Sequence, residues 1–482
     1  MFQTDRTIER QLFAFTHRDL VSEDSDVWLY MDLFDDLDLS DFDSSYCAQG
    51  QAAKEPKLML RTLFYALTHG IISGRKLQEV CRNDNRYVVL SGNTRPDRRT
   101  FDRFIKKHKS AFTVLFKKIV HLAQEMGLVT LGRVAIDGSK FKAFAGKNMR
   151  YDAMCRALDH IGENLLKLKD DLAKANSSEL NGDPDQLKAE IKDQTARRDL
   201  IKQAKERIER DIAAQQVKEC KKRKRQQSAV RAIHDLDALT VGRNCNFPFG
   251  YNLQAAVDDE SQIIVAAEIH ENQSDQGALA KMMDKVKENC GEYPAKTLAD
   301  CGYNSLKNIG EVEARNSEAI IPLDVEYKNY QEQACEQIRK GNGDREYFCL
   351  NNRKLHLATR LKTGHLSFKL QPDFCVNCPY ATRCRLNGKQ NVQILDDAPR
   401  EKFIKHARKT RAEDFKEDYR WRKAIVEPVF GNIKNKGLRI FIRGNEAVAN
   451  WWNIVTTAHN IEKILRETLC IRPSAVSTFA FS

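Results

Sequence analysis

The sequence predicts an α/β protein with a helical N-terminal part, and three observations carry that expectation. Short, β-favouring apolar runs end on carboxylates at Val134–Asp137 and at Lys296–Asp300, each followed by a turn signal. Two further alternating or apolar runs, Tyr251–Val257 and Gln262–Ile269, flank Asp258-Asp259-Glu260-Ser261 and read as a hairpin. Residues 53–130 carry only helical patterns, set between Pro and Gly breaks.

In chain order, residues 1–52 turn acidic in their second half (Asp32, Asp35, Asp36, Asp38, Asp41, Asp43) and read as a solvated or loosely docked arm. Pro56–Leu67 is a buried helix with Pro at its start, and Gly70–Gly74 breaks it. Ser73 is placed to cap the next helix, which holds Leu77 and Val80. Pro96–Thr100 leads into the helix Phe101–Lys109. Arg95, Arg98, Arg99, Arg103, Lys106, Lys107 and Lys109 make that turn and helix basic. A helix-turn-helix-like module gripping phosphates fits this face, and so does a bundle with an ordinary charged surface.

Residues 152–236 change character. Leu158, Ile161, Leu165, Leu168 and Leu172 follow heptad spacing, Asn181–Pro184 is a turn, and Leu187, Ile191, Ile201, Ile208 and Ile212 continue the pattern. The expectation is an antiparallel helical hairpin with arms of roughly 40–60 Å, self-paired and solvated, the alternative being a tip that contacts a partner subunit or DNA. Lys221–Arg225 is a basic run, suited to phosphates or to a solvated helix end. After the hairpin strands come a helix over 274–289, the strand Lys296–Asp300, a helix over 305–315 and the strand Glu318–Pro322. Residues 324–401 interrupt this order with Cys349, Cys375, Cys378 and Cys384. The C-x2-C spacing suits a thiolate Zn²⁺ site with Cys349 as fourth ligand; reduced, partly buried thiols are the alternative. Residues 412–466 read as helices around Glu427, with Trp451 and Trp452 in the core.

The chain's 79 Lys+Arg against 67 Asp+Glu, a net +12, favours a polyanionic partner. No stretch approaches the apolar length of a membrane span, and no signal peptide opens the chain. Thirteen scattered Cys fit a reducing, cytoplasmic home rather than a disulfide scaffold.

Asp137, Asp300 and Glu427 are isolated carboxylates in or leaving apolar segments, a hard-oxygen set suited to Mg²⁺. Two such ions about 4 Å apart can activate a water and stabilise the leaving oxygen of a phosphodiester. The blocks AIDGSKFKA, TLADCGYNS and RKAIVEPVFGNIK, in that order, resemble the three catalytic blocks of DDE (Asp–Asp–Glu) transposases of bacterial insertion sequences. That group often carries Tyr, Arg and Lys around its Glu, and Tyr419, Arg422, Glu427 and Lys434 approximate the pattern. Four residues, not three, separate Arg422 from Glu427, so either Arg422 is displaced or Lys423 takes its place. Pro428 biases Glu427 towards beginning a helix rather than lying within one.

The resemblance implies a ribonuclease-H-like catalytic domain with a mixed sheet over residues 131–466, and an all-helical DNA-binding domain over 53–130. It also implies a helical-hairpin insertion (152–236), a Cys-containing insertion (324–401) and a C-terminal tail (467–482). Function then follows as double-stranded DNA binding at element ends, cutting with two Mg²⁺ (Mn²⁺ substituting), and joining of 3′-hydroxyl ends to target DNA by a homodimer. Tyr419, Arg422, Lys423 and Lys434 would hold DNA at the catalytic centre, and Arg98, Arg99, Arg103 and Lys107 would hold it at the helical domain. The competing reading is a non-catalytic DNA-binding or scaffold protein derived from a transposase.

Overall fold

The structure, a computed structural model, describes residues 2–3, 16–44, 46, 53–146, 148–176, 183–214, 225–241, 248–272, 274–323, 338–340, 346–361, 365–371, 373–382, 384 and 390–471. Its helical N-terminal part begins earlier than the sequence suggests. Helix α1 (Val27–Asp36) turns Asp32, Asp35 and Asp36 outward and buries Val27 and Phe34 completely. Phe34 stacks on Phe64 at 5.7 Å, and the Tyr30 hydroxyl donates to Thr68 Oγ1 at 2.7 Å. Asp38 and Asp41 both accept from Lys118 Nζ, at 2.7 and 2.8 Å. This segment is therefore a docked helix and not a loose arm: its acids occupy only one face of an amphipathic pattern.

Helices α2 (Pro56–Thr68), α3 (Gly74–Asn83), α4 (Asn85–Leu90), α5 (Arg98–Lys107) and α6 (Lys109–Glu125) follow. Ser73 stands at the start of α3, but its side chain makes no capping bond. Asp97 does cap α5, accepting from the Thr100 N–H at 2.8 Å.

Strands β1 (Arg133–Lys142), β2 (Phe249–Asp258), β3 (Ile264–His270), β4 (Lys296–Leu298) and β5 (Glu318–Ile320) form a mixed sheet in the spatial order β5-β4-β1-β2-β3, with the short strand Leu239–Thr240 against one end of β2. The pairs β1–β2 and β2–β3 are antiparallel, while β4 runs parallel to β1 and β5 parallel to β4. Asp137 does not end its strand. The ladder continues through Asp137↔Ala255 and Gly138↔Gln254 to Lys142↔Gly250. Gly138 is there for space: a Cβ would lie 2.1 Å from Gln254 Nε2 and 2.9 Å from Asn252 Oδ1.

Between β1 and β2, helices α7 (Tyr151–Asn176) and α8 (Pro184–Ala214) pair with each other, burying Met154, Ile161, Leu165, Ile201, Ala204 and Ile208. This core, which also takes in Ile233, is separate from the main one. Of the basic run Lys221–Arg225, residues 221–224 lie outside the described residues, as do 181–182 of the expected turn. After β3 come α9 (Leu279–Cys290) and, beyond β4, α10 (Leu306–Glu313), capped by Ser305 Oγ accepting from Asn308 N at 3.0 Å.

The described parts of 338–395 form two small three-stranded antiparallel sheets around their own apolar cluster, which includes Tyr347, Cys349 and Phe368. Helix α11 (Asp397–Lys409) leads back to α12 (Glu413–Asn435) and α13 (Asn445–Ile471). Helix α13 runs past residue 466, so a separate tail does not begin at 467. Trp452 is fully buried, stacked on Phe430 at 6.1 Å, with its Nε1 donating to Gln254 O at 2.9 Å. One continuous apolar core runs from Val21 in the N-terminal helices through the sheet to Leu465 in α13. Among the described residues no helix is long and apolar enough to cross a membrane.

Candidate active site

Three elements bring carboxylates to one place. Asp137 stands in mid-β1, where its Oδ1 accepts from the Gly138 N–H at 2.9 Å. Asp300 follows β4 by two residues and caps a 3-10 turn, Cys301–Tyr303, through the Gly302 N–H at 2.8 Å. Glu427 projects from α12. Arg422, five residues before it, lies between all three. Its Nη2 is 3.0 Å from Asp137 Oδ2 and 3.8 Å from Asp300 Oδ2, and its Nη1 is 4.0 Å from Glu427 Oε1. The four side chains grade outward, at 7% exposed for Arg422, 19% for Asp137, 37% for Asp300 and 58% for Glu427. Burial pushes the Asp137 carboxyl up to about 6; Arg422 and the Gly138 N–H oppose the shift, and Asp300 and Asp275 add to it.

Glu427 is not at a helix start. Helix α12 is continuous over Glu413–Asn435 with Pro428 inside it. Pro428 has no N–H to offer the carbonyl four residues back, that of Ala424. Gln262, in the β2–β3 turn, supplies the missing donor: its Nε2 reaches Ala424 O at 2.9 Å. The tertiary bond thus removes one of the two costs of a mid-helix proline.

The basic residues near Glu427 separate clearly. Arg422 points into the carboxylates, while Lys423 is exposed. Lys434 Nζ donates to Ser139 Oγ at 2.6 Å and lies 5.4 Å from the Phe141 ring centre, two to four residues along β1 from Asp137. Tyr419 is half-buried, stacked on Phe415 at 6.3 Å, and burial raises its phenol above the ordinary value. Arg98, Arg99, Arg103 and Lys107 are all exposed on α5. Arg98 pairs with Asp102 at 3.4 Å, and Lys107 covers the Tyr46 ring at 3.7 Å.

Cys349, Cys375, Cys378 and Cys384 line one small cavity together with Arg353 and Tyr380, and none is in a disulfide. Burial raises the Cys375 thiol, and Cys384, Cys378 and Cys349 raise it further. Among the described residues, no group of three or more His, Cys, Asp or Glu stands ready-made around a metal position, here or at the carboxylates.

Sequence reasoning missed a set of polar groups beside the carboxylates: the buried Asn252, Gln254 and Tyr303, and the partly exposed Asp275. Their only signal is two amides in YNLQAAVD, a strand in which every residue is buried.

Two family models match the chain. Residues 228–461 match the family described as Transposase DDE domain, and residues 15–107 match Transposase domain (DUF772). The first range contains Asp300 and Glu427 but begins after Asp137; the second takes in α1 to α5. Searches of curated proteins and of solved structures gave no match.

Proposed function

The chain is a DDE-type insertion-sequence transposase, and on that premise we propose that it binds the terminal inverted repeats of its element, cuts the ends at Asp137, Asp300 and Glu427, and joins the 3′-hydroxyl ends to target DNA. One observation carries the catalytic part. Carboxylates from β1, from the loop after β4 and from α12 all lie within 4.0 Å of a single guanidinium. The sheet order β5-β4-β1-β2-β3, with its antiparallel trio and two parallel strands, supports a ribonuclease-H-like domain into which α7–α8 and the Cys-bearing region are inserted.

Three carboxylates already gathered around a cation are a donor set of the kind Mg²⁺ takes, with Mn²⁺ substituting. Two such ions, when bound, activate water and stabilise the leaving oxygen. The chain's own residues then hold the DNA in line. Arg422 holds its Nη1 and Nη2 among the three acids and would position the DNA end from there. Lys434 and Ser139 extend the track along β1, and Tyr419 flanks it. Lys423, exposed on the same helix, reaches only outlying phosphate. The α5 face binds the duplex away from the cut, and two copies assemble on paired ends. The four cysteines would hold a structural Zn²⁺, for which their sulfurs must close to about 2.3 Å from one point.

A Mg²⁺-dependent cleavage assay on the flanking inverted repeats tests this reading. Asp137→Asn, Asp300→Asn and Glu427→Gln should each reduce cutting by on the order of 10²–10³-fold or more, the scale of losing one preorganised active-site charge interaction. Binding to the same DNA should stay near that of the unaltered protein. Near-normal cutting by any one variant removes that residue from the set.

A further inference from the structure

Asp137 sits in β1 and Asp300 just past the neighbouring β4, yet no backbone ladder fixes one against the other. The β1–β4 pairing stops at Ala135↔Leu298, two residues short of both carboxylates. A chain of buried polar side chains continues where the ladder ends. Asn252 and Gln254 lie in β2, at 0% and 1% exposure. Amides there are costly unless their polar atoms are met.

They are met by each other and by residues adjoining the carboxylates. Gln254 Nε2 donates to Asn252 Oδ1 at 3.0 Å and to Asp275 Oδ1 at 2.9 Å. Asn252 Nδ2 donates to Asp275 Oδ1 at 2.6 Å and to Asn272 O at 3.1 Å. Lys140 Nζ reaches the same Asp275 oxygen at 3.2 Å. The wholly buried Tyr303 donates its hydroxyl to Gln254 Oε1.

Each end of this chain touches a carboxylate carrier. Gly138, next to Asp137, is pressed so closely on the Gln254 amide that no other residue fits there. Tyr303 closes the 3-10 turn that Asp300 caps, and its carbonyl is held by Asn308 Nδ2 at 2.7 Å. Gln254 thus contacts both carriers.

We propose that Gln254 and Tyr303, anchored by Asn252 and Asp275, are positioning residues that hold Asp137 and Asp300 at the separation from which both serve one divalent cation. This rests on the reading of those carboxylates as metal ligands. Neither residue touches the cation or the DNA; each acts by denying the Asp300 turn freedom to move away from β1.

Mn²⁺ titration of the full chain, with free Mn²⁺ read by electron paramagnetic resonance, tests the proposal without any need for cutting. Asp137→Asn serves as the control that identifies the site. Tyr303→Phe removes one oxygen and no packing, and should weaken Mn²⁺ binding about 10-fold or more, as loss of outer-shell support does elsewhere. Its metal-free thermal midpoint should fall by no more than a few degrees, the cost of leaving Gln254 Oε1 unmet. Gln254→Met, of similar shape, should weaken binding at least as much. The two changes together should be no worse than Gln254→Met alone, since both act through one hydrogen bond. Mn²⁺ affinity within twofold of the unaltered chain in both single variants overturns the proposal. If the unaltered chain has no Asp137-dependent Mn²⁺ site, the metal reading itself falls, and the positioning role with it.

Discussion

The carboxylate centre and the cysteine module each gather several candidate ligands, but they differ in what stands among them. At the first, Arg422 supplies a cation from within the chain and lies within 4.0 Å of all three acids. At the second, four thiols share a cavity, and the nearby Arg353 spends its Nη1 on Phe374 O. Ionised carboxylates brought together out of water repel one another and need a counter-charge before any metal arrives. Thiols are neutral when protonated and need none. The supports differ too. The acids stand on strands and a helix of the main core, whereas the cysteines stand on strand ends and turns around a small separate cluster. A cation entering the first site must displace or share with Arg422; a cation entering the second must displace thiol protons.

The largest effect expected from this contrast is at Arg422. Arg422→Gln leaves three acids uncompensated and should lower metal-free stability by about 3 kcal/mol, the low end for a broken buried pair because Glu427 stays wet. Mg²⁺ should restore much of the lost thermal midpoint, more than it adds to the unaltered chain. An unchanged metal-free midpoint would mean that Arg422 is not the counter-charge.

A smaller effect is expected at the cysteines. If they hold zinc, elemental analysis of the purified chain gives about one Zn²⁺ per molecule, and Cys375→Ser abolishes it while Asp137→Asn does not. Chelation should then lower the thermal midpoint by a few degrees, confined to the module's own cluster. A metal-free preparation that Cys375→Ser leaves unaltered in stability would reduce the contrast to charged ligands against packed thiols.

The smallest effect per residue lies farthest from both sites. Neutralising Arg98, Arg99, Arg103 and Lys107 together should weaken binding to DNA ends and lower the salt slope by roughly one per lost phosphate contact. Single-turnover cutting at saturating protein should persist. Lys434→Ala should do the reverse, slowing cutting with a modest loss of binding. A quadruple variant with unaltered salt dependence would leave the α5 face as ordinary solvated surface.

Much of this arrangement was readable from the chain. Period-2 and period-3.6 patterns located β2, β3, β4, β5 and the α7–α8 pair, because burial on one face leaves a local trace. The readings that failed were those in which a distant residue overrides a local signal. Gly138-Ser139 has the composition of a turn, but its glycine answers to Gln254 across the ladder. Pro428 suggests that Glu427 begins a helix, but the helix runs through both, and Gln262 supplies the donor that the proline lacks. The acids of α1 suggest solvent by their number, whereas their placement at 32, 35 and 36 puts them on one face of a helix whose other face is buried. Order and chemistry sufficed to propose Asp137, Asp300 and Glu427. Spacing could not choose between Arg422 and Lys423, because only the direction of each side chain on α12 separates them. Asn252 and Gln254 were visible as amides in an apolar run, but their partners lie elsewhere in the chain.

The continuity of the apolar core from Val21 to Leu465 has a metric consequence. Helix α13 packs along both α6 and β3, so the helical module and the sheet share their interior and no linker separates them. If α5 grips one stretch of duplex while the acids cut another, the chain works as a ruler whose length is set by core packing. The number of base pairs between the gripped sequence and the cut then becomes a property of the protein fold. Adding one pair between them would shift the scissile phosphate by about 3.4 Å along the helix axis, farther than a close-packed interior yields.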